Sequence, residues 1–128
     1  MGEVLDTKHW VKPEDGNPNG NLFGGQTLAW LDENSAILSM KVTGYKCVTV
    51  KVHDVIFHKP IPIGSVINIR SKISRVGNTS LDVYSEITID NLTNLINSTN
   101  IYVSGTFTMV AMNNGIPTSD WDHTLPHN

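Results

Sequence analysis

Gly24-Gly25 followed by Asp32 is the arrangement in this chain best suited to chemistry. The preceding residues, Asn17-Pro18-Asn19-Gly20-Asn21-Leu22-Phe23, have loop composition, and Gln26 to Met40 predicts a helix, so the glycines set bare backbone N–H groups at a helix N-terminus. Such an end attracts negative charge, including that on a polarised carbonyl oxygen. Asp32 has Leu28, Ala29 and Ala36 three or four residues away, which puts its carboxylate on a mostly apolar face, where a charge is costly unless it is used. Backbone donors and a stranded carboxylate point together to acyl chemistry. Their separation adds a constraint, because eight residues at roughly 1.5 Å rise place Asp32 about 12 Å from Gly24 along one helix. A single helix cannot easily aim both at one carbonyl carbon. Two copies lying antiparallel across a two-fold axis could, since the glycines of one then lie beside the aspartate of the other. The spacing predicts a dimer with shared sites. Taken alone, such a spacing more often marks a loop end and a solvated helix residue; the rest of the chain decides between the two.

The elements that must position these residues are readable from hydrophobic period. After the helix the period falls from 3.6 to 2, with Val48, Val50 and Val52 alternating against Cys47, Thr49, Lys51 and His53 before Val55-Ile56-Phe57, which predicts a strand. Pro60-Ile61-Pro62-Ile63-Gly64 breaks it. Val66 to Ile73 resumes the alternation, Gly77-Asn78 reads as a turn, and Ser80 to Ile87 completes a hairpin. A polar turn from Asp90 to Asn100 precedes a last long strand, Ile101 to Ala111, and Val4 to Val11 supplies a short first one. One helix and a meander of long antiparallel strands bury each other if the sheet curls round the helix, which predicts an α+β domain over residues 1–112. Residues 113–128, with two prolines and little periodicity, read as a C-terminal tail or an interface strap.

A chain of 128 residues with 39% hydrophobic and 16% charged residues fits one globular domain with a modest core. Nine Lys and Arg against twelve Asp and Glu give a formal net charge of −3, with no basic run that would track nucleic acid or an anionic membrane. The first residues, Met1 to Lys8, lack the layout of a signal peptide, and no segment approaches about 18 continuous apolar residues, so the expected location is the cytoplasm. The lone Cys47 forms no intramolecular disulfide, and Asn78-Thr79-Ser80, Asn91-Leu92-Thr93 and Asn97-Ser98-Thr99 match glycosylation sequons by pattern only.

Six segments in register carry a resemblance. Asn17 to Gly25 with Trp30-Leu31-Asp32-Glu33, then Val48-Thr49-Val50, Phe57-His58-Lys59-Pro60-Ile61, Val76-Gly77-Asn78-Thr79-Ser80 and Phe107-Thr108-Met109-Val110-Ala111, resemble the hotdog-fold acyl-CoA thioesterases, in particular the broad-specificity acyl-CoA hydrolases. The resemblance spans roughly residues 11–117. It implies a hotdog fold: a long central helix wrapped by a curved antiparallel sheet of about five to six strands. It implies hydrolysis of acyl-CoA to free CoA and a carboxylic acid, no cofactor, and a homo-oligomer that is at least a dimer and, by family habit, a trimer of dimers.

The resemblance also implies roles. Asp32 matches the family's reacting carboxylate, acting as general base on water or as nucleophile through a transient anhydride. Gly24 matches the oxyanion donor supplied by the partner subunit, and Asn17 matches a loop asparagine that positions water or the carboxylate. Thr49 stands where relatives carry a hydroxyl near the carboxylate, although threonine is also simply a good strand former. Around the substrate the matching positions are Gly25, Asn21 and Phe23 at the helix start and His58 and Lys59 after the long strand. Arg75, Gly77, Asn78, Thr79 and Ser80 fall in the stretch that holds coenzyme A. Asn21 beside glycine is equally turn chemistry, and Phe23 and Trp30 read as core or acyl-tunnel lining, with Trp10 and Trp121 closing the ends. Relatives often place a basic residue directly after the glycine of that stretch. Here Asn78 stands there, which leaves Arg75, Lys59 or Lys72 for the phosphates unless these are merely solvated sheet-edge cations.

Five histidines raise the question of a metal. His9, His53, His58, His123 and His127 show no useful ligand spacing and no accompanying cysteine cluster, so no metal is expected. His58 is read as packing or hydrogen-bonding at a strand end. Two other classes stay open, a hydratase or dehydratase of acyl thioesters using His58, and a non-catalytic acyl-CoA sensor. Retention of Asp32 argues against the sensor.

Overall fold

The computed structural model describes residues 2–92 and 100–124. Strand β1 is Val4–Trp10, a single 3₁₀ turn is Pro13–Asp15, helix α1 is Gly24–Thr43, and strands β2 to β5 are Lys46–Phe57, Val66–Val76, Ser80–Ile89 and Val103–Asn113, followed by a two-residue β6 at Ile116–Pro117. Every strand pairing is antiparallel, and the sheet order is β1-β3-β4-β5-β2, with β6 on β5. The expected α+β architecture of one helix against a wrapped sheet is what the chain forms. The meander, however, is only β3-β4-β5. The long strand after the helix lies beside β5 at one edge rather than beside β3, and Pro60 to Gly64 carries the chain from that edge across to β3, next to the opposite edge strand β1.

The helix begins two residues earlier and ends three later than its hydrophobic period indicates. Phe23 enters in extended conformation with no side-chain cap, and Gly44 closes the helix in the left-handed region at φ 77°, its N–H bonded to Met40 O at 2.9 Å. Its buried face is unusual. Of the seven buried helix residues only Leu31 and Leu38 are apolar; the others are Thr27, Asn34, Ser35, Ser39 and Thr43. The two leucines join a core of Ile67, Ile69, Ile73, Leu81, Val83, Ile87, Phe107 and Met109 on the inner face of the sheet, each such side chain contributing about 1.5–3 kcal/mol. The polar residues are satisfied. Asn34 Nδ2 donates to Ser71 Oγ at 2.7 Å, Ser71 Oγ and Ser85 Oγ lie 2.5 Å apart, Ser85 Oγ and Ser35 Oγ 2.7 Å apart, and Ser35 Oγ donates to Leu31 O at 2.8 Å. Thr7 Oγ1 of β1 donates to Asn34 Oδ1 at 3.0 Å.

The two free edges of the sheet differ. Along β1 the exposed positions Asp6 and Lys8 carry charge, paired with Arg70 and Asp90, which discourages addition of another strand. Along β2 the exposed positions include Val48, Val50, Val52, Ile56 and Phe57, with Val50 57% exposed, while Cys47 and Thr49 turn toward the core. The apolar alternation read from sequence is thus the outward series of an edge strand. Two register shifts, between Thr49 and Lys51 and between His53 and Ile56, bend this strand, and Asp54 takes positive φ at the second.

The segment expected as a tail has order as far as it is described. Asn114 and Gly115 both take positive φ, 53° and 79°, making a tight turn that folds β6 back on β5. Tyr45 Oη then donates to Asp120 at 3.0 Å, Trp121 packs against the core, and His123 stacks on Trp121 at 3.9 Å between ring centres.

Candidate functional site

Asp32 projects from the middle of α1 toward β2, where Thr49 Oγ1 donates to its Oδ1 at 2.5 Å. Asp32 is half-buried, and Thr49 is held from behind by Met109, whose sulfur lies 3.3 Å from the hydroxyl. A carboxylate fixed by one hydroxyl and still accessible can take a proton from water or attack a carbon. The face it occupies is less apolar than its neighbours in sequence imply, because the helix turns serines and Asn34 to the sheet.

Gly24 and Gly25 form the first turn of α1. The first bond within the helix is Thr27 N to Phe23 O at 3.0 Å, so the N–H groups of Gly24, Gly25 and Gln26 precede the ladder and point outward. A side chain at Gly25 would come within 2.6 Å of the Phe23 ring, so glycine lets that ring lie against the turn. Phe23 itself is 56% exposed, and is not core. Trp30 is half-buried and stacks on His9 at 4.5 Å, whereas Trp10 on β1 is 65% exposed. The loop before the helix is fixed from within: Asn17 Oδ1 accepts from Asn19 N at 3.0 Å and Asn21 N at 3.2 Å, and Asn17 N donates to Asn21 O at 2.7 Å. Both asparagines therefore shape the loop, and the donor left on the Asn17 amide is Nδ2.

Beside the helix start, a cleft of about 240 Å³ opens between Leu22, Thr27, Phe57, His58, Lys59 and Val103, with a mostly apolar wall. His58 Nε2 lies 3.1 Å from Ser104 Oγ, and Lys59 Nζ sits 5.6 Å from the centre of the Tyr102 ring. Lys72 stands likewise 5.7 Å over Tyr84.

The third group lies elsewhere. Arg75 donates Nε to Asp82 Oδ2 at 2.8 Å and its second nitrogen to Asp82 Oδ1 at 3.1 Å and Ser80 Oγ at 3.2 Å. Thr108 Oγ1 donates to Asp82 Oδ1 at 2.7 Å, and His53 Nε2 lies 3.1 Å from the same threonine oxygen, so one polar row crosses β3, β4, β5 and β2. Burial pushes the Asp82 carboxyl up, but the hydrogen bonds from Arg75 and Thr108, with the charge of Arg75, outweigh it and hold the carboxyl below its ordinary range. Gly77 N donates to Ser80 O at 2.7 Å, Thr79 O accepts from Ala111 N at 3.1 Å, and His123 Nε2 lies 2.5 Å from Asn78 O. Cys47, half-buried near Thr43, has its thiol pushed up by burial.

Within one chain, then, Asp32 and Thr49 meet, while the other candidates form two groups at opposite ends of the sheet. Phe57 pairs with Val103 at the end holding the glycines and the cleft, and Cys47 pairs with Ala111 at the end holding Gly77 to Ser80. The intervening helix of 20 residues is about 30 Å long. Ser104, Thr27, Asp82 and His123 join these groups without any signal in the sequence. Ser104 and Asp82 sit at ordinary strand positions, and only register brings them to their partners. Among the described residues, no three His, Cys, Asp or Glu side chains cluster as metal ligands, and no helix is long and apolar enough to cross a membrane. His127, Thr93 and Asn97 to Thr99 lie outside the described residues.

Residues 19–95 match the sequence model of the Thioesterase superfamily. An acyl-CoA hydrolase from Staphylococcus aureus, solved with butyryl coenzyme A and coenzyme A, is 32% identical and superposes with a TM-score of 0.85 over 90% of this chain and 70% of its own. A hexameric hotdog-fold thioesterase of Campylobacter jejuni is 30% identical with a TM-score of 0.79, covering 92% of this chain and 90% of that one. The acetyl-coenzyme A thioesterase of Mus musculus is 32% identical over 88 residues, 69% of this chain, and the chain spans 16% of that protein's length.

Proposed function

This chain belongs to the thioesterase superfamily, and from that footing we propose that it hydrolyses the thioester of acyl-CoA, giving free CoA and a carboxylic acid, in sites built from two copies of the chain. The observation that carries the reading is Asp32 held at 2.5 Å by Thr49 beside the exposed apolar edge of β2. A second copy pairing antiparallel along β2 continues the sheet and sets its own outward valines beside Val48, Val50 and Val52. It also runs its helix opposite to α1, so that its Gly24 end approaches Asp32. The same pairing carries the partner's Gly77 to Ser80 turn toward this chain's cleft, which one chain alone holds apart from it.

In such a site the thioester oxygen accepts from the N–H of Gly24 and Gly25, where the positive end of the helix offsets charge as the carbonyl carbon becomes tetrahedral. Asp32 either takes a proton from the attacking water or attacks the carbon itself. In both routes the C–S bond breaks and the CoA thiolate leaves; in the second, water then cleaves the Asp32 anhydride to release the carboxylic acid and restore the carboxylate. The apolar cleft by Leu22, Phe57 and Val103 suits the acyl or pantetheine chain. For the nucleotide phosphates, Arg75 is already engaged by Asp82, and the cation at the cleft mouth is Lys59. Among the described residues of one chain His58 bonds to Ser104 rather than to a carboxylate, an arrangement that favours hydrolysis by Asp32 over a histidine-based hydratase. The relatives that are hexameric support a homo-oligomer, with a trimer of dimers as the proposed form and the cytoplasm as the proposed location.

The test is release of free thiol from short, medium and long acyl-CoAs by wild type and by Asp32→Ala of verified fold. Release by the wild type that is lost in the variant supports the reading. Binding of acyl-CoA without any release by the wild type would sink it in favour of a sensor.

A further inference from the structure

A helix that lies on a sheet through apolar side chains alone can roll, because such contacts have no direction. Helix α1 is not held that way. Asn34 and Ser35, two and three residues beyond Asp32, are tied to Ser71 on β3 and Ser85 on β4, all four of them 3% exposed or less. The protons in this seam run one way. Asn34 Nδ2 can only donate, so Ser71 accepts from it; Ser35 donates to Leu31 O, so its oxygen is free to accept from Ser85; Ser71 then donates to Ser85. Each hydroxyl in the seam donates once, and the chain of bonds ends on the carbonyl of the residue immediately before Asp32.

The lever arm makes this matter. A side-chain terminus lies about 5–6 Å from a helix axis, so a roll of about 10° moves it by about 1 Å. A displacement of about 1 Å in a reacting group can cost on the order of 10²-fold in rate. We infer that Asn34, Ser35, Ser71 and Ser85 are positioning residues: their seam sets the rotation of α1 on the sheet and thereby aims Asp32 at Thr49 and the substrate. The inference rests on the reading of Asp32 as the reacting carboxylate. It accounts for an otherwise costly choice, three serines and an asparagine where apolar side chains would fill the core.

The experiment compares thiol release from acyl-CoA by wild type, Ser71→Ala/Ser85→Ala, Ser39→Ala and Asp32→Asn. Removing Ser71 and Ser85 together deletes both partners of one bond, which is far milder than orphaning one, and Ser35 keeps Leu31 O while Asn34 keeps Thr7 and Leu5 O. Ser39 is a matched control, equally buried but, among the described residues, bonded through its hydroxyl only along its own helix, to Ser35 O at 2.9 Å. The expected result is a kcat at least about 10-fold lower in the double variant with KM within about twofold, unchanged kcat in Ser39→Ala, and near-complete loss in Asp32→Asn. Wild-type kcat in a folded double variant, with Asp32→Asn inactive, overturns the inference and leaves the role of Asp32 standing. Wild-type turnover in Asp32→Asn overturns both. Should the double variant not fold, Ser85→Cys, which keeps the volume and weakens the bond, is read by the same kcat-against-KM split.

Discussion

Replacing Thr49 by Val removes one hydroxyl and little else. Valine fills nearly the same volume and suits a strand as well as threonine does, and its methyl groups take the place of the hydroxyl against Met109. What is lost is the 2.5 Å bond to Asp32. A hydrogen bond to a charged group contributes about 1.5–3 kcal/mol net, and at 1.4 kcal/mol per factor of ten that equals about 12- to 150-fold in the population of the aimed carboxylate. Because Thr49 touches Asp32 and not the substrate in this account, the loss falls on kcat. Thr49→Val should therefore release thiol from acyl-CoA between about 10- and 150-fold more slowly at nearly constant KM, with a thermal midpoint within a few degrees of wild type. Thr49→Ser, which keeps the donor, should recover most of the rate. A Thr49→Val protein with wild-type kcat would show that the carboxylate does not depend on that bond for its aim.

Three further outcomes follow from the same geometry. Val50 is exposed in the single chain, so Val50→Asp should leave each chain folded yet block β2 pairing; light scattering should report a smaller species, inactive although Asp32 and Thr49 are intact, and an active monomer would contradict this. Asp82 has its carboxyl held below the ordinary range when folded, so its contribution to stability is fully present above the unfolded value of about 4 and disappears as pH falls through the folded value. Asp82→Asn should accordingly lower the melting temperature at neutral pH and flatten its decline under acid, and an unchanged acid profile would count against the pairing with Arg75. Cys47, its thiol raised by burial, should alkylate slowly at neutral pH until the chain is unfolded.

The helix, the break at Pro60 and the hairpin were legible because each has a local cause: period, a fixed φ, a glycine turn. Which edge β2 occupies was not, since Val48, Val50 and Val52 read alike whether they face a core or a partner strand. The turn at Asn114-Gly115 has a strong hairpin signature, but the two-residue strand after it is too short to show a period, and so the segment reads as a tail. Ser71 and Ser85 occupy inward positions of alternating strands, where sequence expects apolar residues; only with β3, β4 and α1 packed together do their hydroxyls find Asn34 and Ser35. The same holds at Asp82. Arg75 reads as a free cation for a phosphate until the register shift between Ile73 and Arg75 sets it opposite the carboxylate. Asp32 with Thr49 lies between these cases, because the resemblance nominates both residues and only the fold gives their contact.

In the proposed site the carboxylate comes from one copy of the chain and the oxyanion donor from another. Gly24 is the first helical residue, a position where proline is well accepted, and Phe23 before it already has the extended conformation that proline demands, so Gly24→Pro deletes one N–H with little strain. Asp32→Asn and Gly24→Pro proteins should each be nearly inactive alone. Coexpressed at equal levels, half the dimers are mixed and each mixed dimer has one intact site of two, so about a quarter of wild-type turnover should return. No recovery in verified mixed dimers would contradict the shared site.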